Sequence, residues 1–167
     1  MIPTDMAVEA LAVLEENATA LSVPLLTPED IALARKLNAE MAECVLSGRV
    51  DRYGELGHEL HELLYSRCPN SHLLELVRCQ AARIRGIARD HPVYSVDAAQ
   101  EAVREHYALF DLIESRSITP AEIARQARAH RLRTVRTILD DVGSRLDDSL
   151  ADDTCPLLVE HIAESGR

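Results

Sequence analysis

Three histidines, His61, His106 and His130, fall where helical periodicity surrounds each with apolar neighbours. Imidazole offers a neutral ring nitrogen and is the commonest protein ligand for first-row divalent metals. One histidine among leucines is usually a hydrogen-bonded core residue. Three, each on the inner face of a different helix, meet the demand of a metal centre for several donors converging from rigid elements. The chemistry on offer is a pocket that holds a divalent cation, or an anionic ligand, inside a helical core. His58, three residues before His61, can share its face and join the set. Gln80 on an apolar stripe and Arg83 one turn further offer an amide and a guanidinium to a carboxylate.

Six helices with period-3.6 apolar stripes must carry these residues. The first is predicted over about Asp5 to Leu21, with Leu11, Leu14, Ala18 and Leu21 inward, stopping before Pro24. The second opens at Thr27-Pro28-Glu29-Asp30, where Thr27 can cap, Pro28 suits the first helical position and the acids favour the positive helix end. It closes near Gly48. The third, about Val50 to Tyr65, turns Tyr53, Leu56, Leu60, Leu63 and Leu64 inward. Asn70 or Ser71 caps the fourth, which carries Leu73, Val77, Ile84 and Ile87 to about Arg89 and ends at His91-Pro92. Ser95 starts the fifth, with Ala99, Val103, His106, Phe110 and Ile113 on its stripe. Thr119-Pro120 opens the sixth, which turns Ile123, Ala127, His130, Thr134 and Ile138 inward and continues toward Leu146. Residues 147–167 read as an acidic tail, or as a short seventh helix over Leu157 to Ile162. Short connections predict an all-α antiparallel bundle of six to seven helices with a central pocket, occupying residues 1–146.

With 167 residues the chain has the length of one domain, and its core must be aliphatic, because 47 % of residues are hydrophobic but only 3 % aromatic. The net charge of −10 argues against nucleic-acid binding by this chain. Arg125, Arg128, Arg131, Arg133 and Arg136 are expected to form a solvated basic side of the sixth helix. Cys44, Cys68, Cys79 and Cys155 form no CxxC pair and are expected to be reduced structural thiols. No leader pattern and no apolar run of about 18 residues is present, so the expected location is the cytoplasm and not a membrane.

Leu60-His61-Glu62-Leu63-Leu64, followed by Pro69-Asn70 and Leu73-Leu74, resembles the signature helix of the FCD domain. This is the effector-binding domain in the FadR branch of GntR-type transcription regulators. Glu105-His106 with Leu109-Phe110 and Leu112-Ile113 resembles the family's next histidine helix, and Arg128-Ala129-His130 the third. Leu14-Glu15 and Thr27-Pro28-Glu29-Asp30 fit its entry helix and the start of its second. The resemblance covers about Glu9 to Ile138. It implies a helical bundle whose pocket floor holds a divalent metal (Zn, Ni, Mn or Fe) on one Asp and three His, with a small carboxylate completing the coordination, in a homodimer.

Two departures stand out. The position of the family's aspartate, one turn before the first histidine, is Gly57 here, so the absent side chain can leave room for a ligand. The winged helix-turn-helix of such regulators is not found in these residues; either it is lost, and the chain is not expected to read DNA, or the sequence is an excised domain whose DNA-binding half was left out. Three readings are then open. One is a sensor that binds metal and a carboxylate without turnover. Another is a stand-alone metal-dependent lyase, cyclase, isomerase or hydrolase, with Glu55, His58 or Glu105 as general acid–base. The third is an interaction or dimerisation module whose histidines are a relic, which the missing aspartate favours.

Overall fold

The computed structural model describes residues 4–90 and 95–139. Among them the chain forms α1 (Thr4–Ser22), a 3-10 turn (Val23–Leu25), α2 (Pro28–Ser47), α3 (Val50–Tyr65), α4 (Ser71–Asp90), α5 (Val96–Glu114) and α6 (Pro120–Leu139). No strand occurs among the described residues, and the fold is all-α as the sequence predicts. The expectations for His91, Cys155 and anything beyond Leu139 lie outside the described residues, as do those for the side chains of Ile87, Arg136 and Ile138.

The helix starts follow from local chemistry. Asp30 N–H donates to Thr27 Oγ1 at 3.2 Å and Thr27 N–H donates back to Asp30 Oδ2 at 2.9 Å, a reciprocal cap on α2. Thr119 and Glu122 repeat this at α6, with bonds of 2.8 and 3.3 Å. Ser95 Oγ accepts from Ala98 N–H at 3.3 Å on α5, and Asn70 Oδ1 accepts from Leu73 N–H at 3.0 Å on α4. Gly48 ends α2 at φ 67°, a left-handed conformation that glycine adopts without a Cβ clash.

Packing does not simply follow chain order. α1 lies mainly on α6 and also on α4, while α2 lies on α3 and α5. The ion pairs Glu15–Arg131 and Glu16–Arg128 show α1 and α6 running antiparallel, because the α6 partner falls in number as the α1 partner rises. The main apolar cluster joins Ile31, Leu37 and Met41 of α2, Leu56, Leu60 and Leu64 of α3, and Val103, Leu109 and Phe110 of α5. A smaller one gathers Ala18, Tyr65, Cys68 and Val77.

The stripe of α1 differs from the expected one. Leu21 is 46 % exposed, and the buried line runs through Val8, Leu11, Glu15, Ala18 and Ser22. A carboxylate sits on the inner line because partners on other helices hold it, and the leucines alone mark the wrong register. Arg131 is likewise not on a solvated side; it is buried at 8 % exposure, because its guanidinium is bonded to Glu15. Cys44 and Cys68 are free and buried, whereas Cys79 is disulfide-bonded, against the expectation of reduced thiols throughout.

Candidate metal centre

Three helices deliver one imidazole each to a common point. His61 comes from α3, one turn after Leu56 and Gly57; His106 comes from α5 between Val103 and Phe110; His130 comes from α6, two turns after Ile123. One nitrogen from each lies within 4.8 Å of the other two. His106 and His130 are buried, and the His61 side chain is 15 % exposed. Their ring centroids stand 4.5 to 5.5 Å apart.

Each ring has its Nδ1 occupied by a different acceptor. Asn38 Nδ2–H donates to the Val103 carbonyl at 2.9 Å, which turns Asn38 Oδ1 toward His106 Nδ1 at 2.8 Å. His106 must therefore donate from Nδ1. Glu105 Oε2 accepts from His130 Nδ1 at 2.7 Å, and Glu15 Oε1 accepts from His61 Nδ1 at 2.8 Å. Nδ1 of each ring is thus turned to an acceptor, which leaves Nε2 as the position open to a metal. Partners of this kind fix tautomer and ring orientation at metal-bound histidines and raise ligand basicity.

The donor set fits a divalent cation. His106 Nε2 and His130 Nε2 are 3.0 Å apart, with both lone pairs directed at the same space. Two nitrogens each about 2.1 Å from a metal and at right angles are separated by about 3.0 Å. A shared proton would relieve one such pair of lone pairs; a divalent ion relieves all three nitrogens together.

Electrostatics favour the uncharged forms of His61 and His106 and the charged form of Glu15. Burial lowers the pKa of His61 to about 4, aided by the Arg131 guanidinium, and burial with the two neighbouring imidazoles holds His106 well below the ordinary range. Burial alone would raise the Glu15 pKa, but Arg131 and His61 reverse this and hold it well below the usual carboxylate range. Glu15 accepts from Arg131 Nη2 at 2.6 Å and also from Arg131 Nε, so the pair is bidentate.

These shifts have a pH consequence for the metal-free protein. His58 is also lowered to about 4, by burial and by Arg131 and Arg85. As pH falls below the ordinary histidine value of 6.5, the unfolded chain takes up protons that the folded chain refuses until about 4. Folding stability therefore declines on acidification through that window. A loss of roughly 1–3 kcal/mol is expected between about pH 7 and about pH 5, read from urea midpoints of chelator-treated protein. Equal or higher stability at the lower pH contradicts the burial of neutral imidazoles.

A cavity of about 510 Å³ opens over the histidines, walled by Leu64, Leu109 and Ala127, with Thr19, Glu105, Glu122, Arg125, Gln126 and Arg133 also facing it. The other site residues named from the sequence lie elsewhere. His58 is half-buried on α3 and does not join the three-histidine group. Glu55 is exposed and ion-paired with Arg52 at 3.0 Å. Glu105 does face the cavity, but both oxygens are engaged, one by His130 and one by Arg133. Gln80 and Arg83 do not line it; Gln80 Oε1 and Arg83 Nε are enclosed on α4 without hydrogen-bond partners among the described residues. A Cβ at Gly57 would stand 3.5 Å from the Met41 methyl, an ordinary van der Waals contact, and Gly57 is not among the residues that line the cavity.

Sequence reasoning missed Asn38 and the structural parts played by Glu15 and Arg131. Asn38 is fully buried, and its only signal is a polar side chain in line with Ala34 and Met41 on the stripe of α2.

Residues 7–134 match the FCD domain family, and the chain belongs to it. The family places the chain with the effector-binding domains of GntR-type regulators. No curated protein and no solved structure matches the chain. Among the described residues no helix is long and apolar enough to cross a membrane.

Proposed function

We propose that this domain binds one divalent metal ion through His61, His106 and His130, and senses a small carboxylate that completes the coordination. The observation that carries this reading is the committed state of all three rings. Each Nδ1 is held by its own acceptor, so each Nε2 is free for the same cation below an open cavity. The bound ion supplies a positive centre to which an anionic oxygen can attach, and the cavity gives that anion access. Zn, Ni, Mn and Fe all accept imidazole nitrogen.

Binding is favoured over catalysis by the wall chemistry. A hydrolytic or lyase reaction needs a general base within reach of the substrate. Glu55 faces solvent beside Arg52, and the carboxylate of Glu105 is tied to His130 and Arg133. The domain then acts inside the cell as a homodimer, with occupancy of the centre passed to α1 through the His61–Glu15 bond and to α6 through Glu15–Arg131.

The test is calorimetric titration of chelator-treated and metal-loaded full chain with short carboxylates. Binding to the loaded form alone, with the acid recovered unchanged, supports the reading. Equal binding to both forms, or conversion of the acid, overturns it.

A further inference from the structure

The polar groups on the cavity wall divide into those already engaged and those left over. Glu15, Glu105 and the histidines are bonded to one another or to arginines, and Glu122 is bonded to the N–H and hydroxyl of Thr119. Three groups remain. Thr19 is only 3 % exposed and faces the cavity, yet its hydroxyl has no hydrogen-bond partner among the described residues. Arg125 and Gln126, on the exposed rim of α6, likewise make no side-chain hydrogen bond or ion pair among the described residues. Glu122 feels the charge of Arg125 but is engaged by Thr119.

Helix geometry puts these three on one level. Thr19 is one turn beyond Glu15 on α1, and Gln126 is one turn before His130 on α6. Because α1 and α6 run antiparallel, with Glu15 opposite Arg131, both displacements are in the same direction. The leftover donors stand about 5–6 Å from the imidazole layer, one helical turn away. Leu64, Leu109 and Ala127 supply apolar wall to the same cavity.

We infer that the effector is a short aliphatic dicarboxylate, with one carboxylate at the histidine centre and the other held by Arg125, Gln126 and Thr19. All three leftover groups donate hydrogen bonds, and one carries a full positive charge. The Thr19 hydroxyl opens onto the cavity and can donate to a ligand there. A monocarboxylate would leave the Thr19 hydroxyl and the arginine without their acceptor. This inference rests on the metal-and-carboxylate reading above and specifies its ligand.

The experiment titrates the metal-loaded full chain with glutarate and with butyrate, probes of similar length that differ in the second acid group. Glutarate is expected to bind at least about tenfold more tightly, the usual scale of a charge-assisted hydrogen bond. Arg125→Ala should remove that advantage while leaving butyrate affinity and metal content unchanged, since Arg125 is exposed and touches no histidine partner. Thr19→Val, close in shape, should weaken glutarate more than butyrate. Equal binding of the two acids by the parent, or an unchanged preference in Arg125→Ala, overturns the inference and leaves the carboxylate reading standing. Failure of both acids to bind overturns that reading as well.

Discussion

Replacing Glu15 with alanine is expected to lower the folding stability of the chain by about 3–5 kcal/mol. The Glu15 carboxylate is 2 % exposed and is the hydrogen-bond acceptor for both the buried Arg131 guanidinium and His61 Nδ1. Its removal leaves a full positive charge in the interior without a counter-charge, and the desolvation cost of that charge then goes unopposed. The neighbouring acid supplies the contrast. Glu16 meets Arg128 at 3.7 Å, with the arginine half exposed, so Glu16→Ala should cost no more than about 1 kcal/mol. Urea unfolding of the two variants reads the difference directly. Similar small losses for both would mean that Arg131 reaches solvent and that α1 and α6 are not joined through this pair. Glu15→Ala should also weaken metal binding by roughly 10–100-fold, because His61 loses the partner that fixes its tautomer.

Replacing His106 with alanine should have the largest effect on the centre itself. This ring is the most deeply buried of the three, with centroids 4.5 Å from His130 and 5.5 Å from His61. Its loss removes a donor outright, so affinity for zinc should fall by more than the roughly 100-fold that loss of an outer partner causes. His72→Ala is the matched control, since that side chain is 62 % exposed beside Glu75, away from the cavity. Competition against a chelating dye measures both variants. Retention of parental affinity by His106→Ala would remove this residue from the ligand set.

The parts legible in the sequence are those set by short-range chemistry. Thr27-Pro28 and Thr119-Pro120 announce helix starts because a hydroxyl three residues before a free N–H caps it wherever it occurs. His61, His106 and His130 are legible because periodicity turns them inward whatever they meet there. Glu15 and Arg131 are another matter. An acid and an arginine on amphipathic helices read as solvated side chains, and only the meeting of α1 with α6, 116 residues apart in the chain, makes their burial favourable. The bond from His106 to Asn38 spans 68 residues and depends on α2 crossing α5 at Val103. The position of the cavity was hidden for the same reason. Gln80 and Arg83 look suited to a ligand on their own helix, but the open wall belongs to α1, α5 and α6, with Leu64 and His61 from α3.

The convergence of three imidazole nitrogens on one cation is tested most directly by X-ray absorption on zinc-loaded protein. The expected spectrum shows three imidazole nitrogens at about 2.0–2.1 Å with the remaining positions filled by oxygen. Two or fewer imidazoles, or a sulfur shell at about 2.3 Å, would contradict the centre described.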